Sequence, residues 1–385
     1  MSIFTESEIL RRQSLVAADL AAKDVDLAIF TSSDNVYYTS GVPLLSEWGR
    51  PMWSVLFPDS RSVVIGAEIE AETMERNAPA SKVLPFGDEG NVIDLALERL
   101  FSEIPAEVRV GRVGIEMGCL SVSVFEKIRA RFSEAEFVDV GPVAAAARII
   151  KSEEESVILN VAAEIAKIGA NAYLEALTPG NTELAVAGHA RAAMDKALGA
   201  LYPEGATSSY VYAQFGDHSL SPHLHATGRR LQRGDVVALN VFPVVWGYCI
   251  ELERTYVYGP RTDRQDSMLD ILERSFTLGK ELYLPGKRFD ELHADCTAVL
   301  AEDGLDKYVR HGTGHAHGIM VGSASREELG EIRKYNHGTV QTGMFNSIEP
   351  GFYIPGEGGF RHSDVMQATS ESATCITEFP VRLDL

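Results

Sequence analysis

Apolar and polar positions change their period several times along the chain. Residues 5–23 repeat at helical spacing, and DLAIFTS (26–32) is an apolar run short enough for a buried strand. WSVLFP (53–58) and SVVIGA (62–67) bracket Asp59-Ser60-Arg61, which predicts a hairpin. Segments 68–76 and 91–104 have amphipathic helical patterns, while RVGIE (112–116) and EFVDVG (136–141) supply two more strands. Alternation of this kind predicts an α/β layer over roughly the first 145 residues.

The pattern changes at 142–152. A stretch of small residues leads to Arg148 and Lys151. Ser152 then stands as a cap before Glu153, Glu154 and Glu155, acidic residues that complement the positive end of a helix. That helix runs to about Leu177 and stops at Pro179-Gly180. A length of 385 residues exceeds one ordinary core. We therefore expect two domains, 1–147 and 148–385, the second with a helix at 182–198, helices near 264–284 and 288–303, and a strand-rich end from 310 onward.

Composition narrows the function classes. The chain is 45% hydrophobic and 23% charged, as globular proteins are, with a net charge of −20 that repels phosphate backbones and argues against nucleic acid as a partner. No unbroken apolar run of about 18 residues predicts a membrane span. The opening MSIFTESEILRRQSL lacks the apolar stretch of a secretory signal, so a cytoplasmic protein is expected. Cys119, Cys249, Cys296 and Cys375 form no CxxC pair, which predicts reduced thiols in place of a disulfide framework or zinc knot.

Candidate chemistry gathers in the second domain, which holds His218, His223, His225, His311, His315, His317, His337 and His362. Glu251, Glu253 and Glu349 are embedded in β-rich apolar sequence (234–259 and 344–365). Residues two apart on a strand share a face, so Glu251 and Glu253 point the same way. Burying both is costly unless a cation, a metal or a proton compensates.

Five segments in order, around the helix start RIIKSEEES, SPHLHATGRRLQRGD, GYCIELERTY, HGTGHAHGI, and NSIEPG with GGFRHSD, resemble the catalytic domain of the pita-bread family. That family includes methionine aminopeptidases, prolidases, aminopeptidase P and creatinase. The resemblance covers roughly 145–380, and more loosely the amino-terminal domain of creatinase and prolidase. It implies an α/β (α+β) chain, with a creatinase-like N-terminal domain before a pita-bread catalytic domain. The family's metallopeptidases bind two ions through Asp, Asp, His, Glu and Glu. Those positions here hold Asn240, Glu251, His315, Glu349 and Ser363, so three of the five are altered.

The departures resemble the creatinase type, which works without metal, and no metal or other cofactor is expected, with a single ion on Glu251, His315 and Glu349 left open as an alternative. By that resemblance His223 is the catalytic histidine, and Glu253 and Glu349 hold the substrate's cationic end. Arg50 and Arg326 would bind its carboxylate, Arg50 reaching across a homodimer, with Trp48, Glu251, Tyr248, Cys249 and His315 lining the pocket. Arg326 also lies in a charged run, 326–334, with the pattern of a solvated helix face. The expected activity is metal-independent hydrolysis of a C–N bond in a small zwitterionic carboxylate carrying an amidine, a guanidine or a related cationic nitrogen. The alternatives are a metal-dependent Xaa-Pro dipeptidase, an ectoine hydrolase-like enzyme, a betaine or sulfonium lyase, and an inactive binding scaffold. His225, His311, His317 and His362 have no assigned role at this level.

Overall fold

The computed structural model describes residues 3–43, 50–104, 109–203, 207–321 and 327–385. Two compact units form, Met1–Arg148 with Ile319–Ser325, and Ile149–Gly318 with Arg326–Leu385.

In the first unit Thr5 caps the helix Glu6–Ala22 by accepting the Glu8 N–H. A six-stranded mixed sheet follows, in the spatial order Lys82–Phe86, Ser62–Ala67, Trp53–Leu56, Leu27–Phe30, Arg112–Ile115, Glu136–Asp139. The expected hairpin forms, with Ser60 at φ +67° in its turn. Leu27, Ile29, Val55, Val63, Ile65, Val113 and Ile115 bury against the helices Val92–Ser102 and Val122–Arg131. A further helix, Ser33–Ser40, was not evident from periodicity because its buried residues include Asp34, Asn35, Thr39 and Ser40. Buried Glu116 anchors its start, accepting from Ser32 N–H (2.7 Å), Ser32 Oγ (2.6 Å) and Asn35 Nδ2 (2.5 Å).

The second unit opens with the helix Glu153–Glu175. Ser152 and Glu155 form a reciprocal capping box there. Among the described residues this helix alone is long and apolar enough, by length and composition, to cross a membrane, but 56% of that stretch is buried within the fold. Tyr173 ties it to the first sheet of this unit by donating to the Ala238 carbonyl at 2.9 Å. In that sheet Val236–Val245 pairs antiparallel with Thr207–Phe215 on one side and Leu252–Val257 on the other. A second sheet runs Glu327–Ile332, Gly314–Ala316, Phe345–Ile348, Asp364–Ala368, Ala373–Cys375, and a hairpin joins Gly351–Ile354 to Gly358–Arg361. The helices Asp263–Leu282 and Phe289–Ala301 cover these layers, burying Phe276, Leu292 and Cys296 against Ile332, Ile348 and Met366.

The charged run 326–334 corrects an expectation: 327–332 is a strand, paired antiparallel with Gly314–Ala316. Gly330 is the physical reason. A Cβ there would stand 2.5 Å from the Ala316 Cβ, so only glycine allows the two backbones this close.

Candidate active site

Register builds the site before any side chain is considered. Asn240 lies opposite Glu253 across the antiparallel pair. The Glu253 and Ser363 main chains exchange hydrogen bonds at 3.2 and 2.9 Å. Gly314 packs so closely on the Ser347 carbonyl that a Cβ would fall 1.9 Å from its oxygen, which sets His315 beside the strand that ends before Glu349. The Glu349 N–H donates to the Thr313 carbonyl at 2.6 Å.

The result is a buried cluster. Ligand atoms of Glu251, Glu253 and Glu349 lie within 4.8 Å of one another, as do those of Glu251, His315 and His317. His315 Nε2 is 3.3 Å from Glu251 Oε2 and 3.8 Å from Glu349 Oε1. The Ser363 hydroxyl donates to Glu251 Oε1 at 2.7 Å. Arg361 enters from the neighbouring hairpin: its Nη2 donates to Asn240 Oδ1 at 3.1 Å and, in a very short contact, to Glu253 Oε1. Its Nη1 donates to the Tyr353 hydroxyl (3.4 Å), which lies 2.7 Å from His311 Nε2. The Gly312 carbonyl holds the proton of His311 on Nδ1 at 2.7 Å, so Tyr353 is the donor in that pair.

Charge follows from this packing. Burial alone would raise the Glu251 carboxyl, but His315, through charge and hydrogen bond, with His317 and Arg361, drags it well below the usual range. Glu253 goes the other way. Burial pushes it well up, and the like charges of Glu251 and Glu349 add to this against the pull of Arg361. Burial works against the Arg361 charge, yet Glu253, Tyr353, Glu349 and Glu251 hold the guanidinium firmly protonated. Burial lowers His317 to about 3, with His315 and Lys151 adding and Glu251 opposing, so its ring is neutral. A cluster with more carboxylates than compensating cations has an appetite for positive charge, whether a proton, a metal ion or a substrate cation.

Glu251, Glu253, Glu349 and His315 are thus brought together. His223 sits in an exposed loop. Gln214 frames that loop, its Nε2 donating to the carbonyls on either side of His223, Pro222 (3.0 Å) and Leu224 (2.8 Å). Pro222 and Gln214 also line a small cavity with Asn240, Tyr353 and Arg361. Fully buried Glu183 fastens both ends of the same loop, accepting from Phe215 N–H (2.8 Å), the Thr227 hydroxyl (2.6 Å) and His218 Nδ1 (2.9 Å). The Tyr248 hydroxyl is committed elsewhere, donating to Glu155 Oε1 at 2.7 Å. Cys249 is buried, its Sγ donating to the Ile250 carbonyl at 3.3 Å, and burial followed by Glu251 pushes its thiol strongly up, against any role as a nucleophile. Arg50 belongs to the first unit, where it pairs with Asp88 at 2.6 Å. Trp48 and Arg326 lie outside the described residues.

Sequence reasoning passed over Arg361, Tyr353, Gln214 and Glu183, and left His317 without a role. For His317 a signal existed: it falls two residues after His315, on the same face of an extended segment. Arg361 and Tyr353 face each other only because their hairpin closes, and no spacing rule announces that.

Comparison with known proteins adds two family matches. Residues 158–370 match metallopeptidase family M24, and residues 11–150 match the creatinase/prolidase N-terminal domain. Creatinase of Bacillus sp. (strain B-0618) is 28% identical over 382 residues, covering 98% of this chain and 92% of the relative. Xaa-Pro dipeptidase of Pyrococcus horikoshii is 29% identical over 357 residues, 92% of this chain and 93% of that protein. The crystal structure of the prolidase from Pyrococcus horikoshii OT3 superposes with a TM-score of 0.83 at 24% identity, covering 96% of this chain and 99% of its own.

Proposed function

The chain belongs to metallopeptidase family M24, with a creatinase/prolidase N-terminal domain and the pita-bread fold, and from that premise we propose that it hydrolyses a C–N bond of a small zwitterionic carboxylate without the family's pair of metal ions. That it is a hydrolase of the M24/creatinase type follows from the family. The substrate class and the independence from paired metals are our proposal.

One observation carries it. At the first of the family's ligand positions Asn240 Oδ1 accepts from the Arg361 guanidinium, which also pairs with Glu253, and at the last Ser363 gives Glu251 a hydroxyl instead of a carboxylate. Two divalent charges need several anionic ligands, and two of the family's four carboxylate positions hold neutral residues here, Asn240 and Ser363. These residues do not fit a dinuclear centre.

In the proposed enzyme Glu349, Glu253 and Glu251 hold an amidinium or guanidinium end, and Arg50 and Arg326 hold the carboxylate, Arg50 coming from the partner of a homodimer. Trp48 helps to line the pocket. Fixing both ends orients the reacting carbon, a contribution of up to about 7–11 kcal/mol in favourable cases. An amidinium carbon is already electrophilic. His223 takes a proton from water as it attacks and returns it to the departing nitrogen, help worth about 10²–10⁴-fold. The same proposal makes the protein cytoplasmic.

A metal-dependent Xaa-Pro dipeptidase is the second reading. The dipeptidase similarity over most of the chain favours it, as do two groups of carboxylate and imidazole ligand atoms close enough to gather an ion. By resemblance alone it is at least as well supported as the creatinase type. Assays of creatine, ectoine, related zwitterions and Xaa-Pro dipeptides, with metal content measured on the same batch, separate the two. We expect amine release from a zwitterion and none from the peptides. Proline release that a chelator abolishes overturns the proposal, an alkene acid product indicates a lyase, and binding without conversion indicates a scaffold. His223→Ala should lose about 10²-fold or more in turnover at unchanged ligand affinity. Arg50→Ala should raise KM more than it lowers kcat.

A further inference from the structure

The strand face that carries the carboxylates also carries an aromatic corner. Asn240 stands opposite Tyr212 on one neighbouring strand and opposite Glu253 on the other, so the three form one row across the sheet with their side chains on one face. Phe242, two residues beyond Asn240, shares that face. The Tyr212 and Phe242 rings meet with centroids 5.3 Å apart, and the His225 ring stands near perpendicular to Tyr212, also at 5.3 Å. At the other end of the row Arg361 holds Glu253 Oε1, while Oε2 is buried with no hydrogen-bond partner among the described residues.

Core packing does not account for these aromatics. The apolar core takes the opposite face, where Ala213, Leu239, Val241 and Leu252 are fully buried. Tyr212 and Phe242 are only half-buried, and His225 is exposed. Burial raises the Tyr212 hydroxyl, and Tyr210, Cys249 and Glu253 add to the rise, which puts this side chain within electrostatic reach of the carboxylate. A half-open tyrosine in that place attracts a cation through its ring electrons, and alkyl-bearing, weakly hydrated cations come to it most readily. Glu253 Oε2 has a different requirement, because a buried acceptor needs an N–H. A cation that meets both keeps an N–H and carries alkyl groups on another nitrogen.

We propose that Tyr212, backed by Phe242 and His225, is a specificity-determining residue that selects an N-alkylated amidinium or guanidinium over an unsubstituted one. The cation's N–H lies on Glu253 Oε2 and its alkyl-bearing nitrogen against the tyrosine ring. This rests on the reading in which the carboxylates hold a substrate cation, and it adds which cation they hold. His225 lies two residues after His223, so the loop that carries the proposed base also packs on the aromatic corner.

The test is a ratio of affinities, with no turnover in it. Binding of guanidinium, 1,1-dimethylguanidinium and tetramethylammonium chlorides is measured by calorimetry at constant ionic strength, with 1,1-dimethylurea as the uncharged control. We expect dimethylguanidinium to bind about 3-fold or more tighter than guanidinium. It should also exceed tetramethylammonium, which has no N–H, and the urea should not bind. Tyr212→Leu should bring the ratio of the two guanidinium ions to about 1, and Tyr212→Phe should keep it. Glu253→Gln should weaken both ions by about 10-fold or more, which separates this site from the acidic surface. Thermal unfolding of each variant reports whether it folds. Equal affinities in wild type, a preference that Tyr212→Leu retains, or a urea that binds as well as its cation overturns the inference and leaves the cation site standing. Absence of binding by every cation, or binding that a folded Glu253→Gln leaves unchanged, overturns the reading beneath it as well.

Discussion

Arg361, Glu253 and Asn240 bring a guanidinium, a carboxylate and an amide together where water is excluded. Asn240 can serve because its Nδ2 is already spent on the Tyr212 carbonyl at 3.1 Å, which turns Oδ1 toward Arg361. Removing one member of a buried pair strands the other, at about 3–5 kcal/mol, whereas replacing both by neutral groups costs less. Arg361→Met should therefore destabilise the protein by about that amount in urea unfolding, and Arg361→Met combined with Glu253→Gln by clearly less. A single variant as stable as wild type would show that Arg361 is not the counter-charge we take it to be.

Elements supply the frame that no single residue could. The capping box of Ser152 and Glu155 begins the helix Glu153–Glu175, and Tyr248 then uses the same Glu155, so helix start and strand turn share one carboxylate. Glu183, in the first turn of the helix Glu183–Leu201, does similar work for the loop that carries His223. Glu183→Ala should release residues 216–227, seen as faster amide exchange there than elsewhere in the second unit, with turnover falling while the protein remains folded. Exchange as slow as in wild type would rule out the clamp. The charged run 326–334 shows the opposite case, in which composition pointed to a helix face and a glycine contact made a strand.

Stability of the whole molecule should depend on acid through histidines that the fold keeps neutral. Burial, then the charges of Arg254, Arg382 and Lys280, hold His362 well below its ordinary 6.5. Its Nδ1 accepts the Thr255 N–H at 3.3 Å, a bond that requires an unprotonated nitrogen. The folded value is depressed, so this stability is complete above the unfolded value and is lost as pH falls below it. Between pH 7.5 and 5.5 one such histidine costs about 1.4 kcal/mol. Metal-stripped wild type should lose more urea stability over that interval than His362→Gln, by about that figure. Equal losses would mean that His362 is protonated in the folded state.

The ordered motifs were enough to identify the family, the class of the fold and the gathering of Glu251, Glu253, His315 and Glu349, because strand period and cap chemistry are local and act over a few residues. The capped helix at Ser152 and the hairpin at Asp59 were legible for the same reason. Tertiary structure alone decided that Arg361 lies against Asn240 and Glu253, that Tyr248 turns to Glu155, and that His317 joins His315 at Glu251. Each of these contacts joins residues 60 or more positions apart, and its energy comes from burial and from the direction of the polar atoms. Both exist only once the chain has closed on itself.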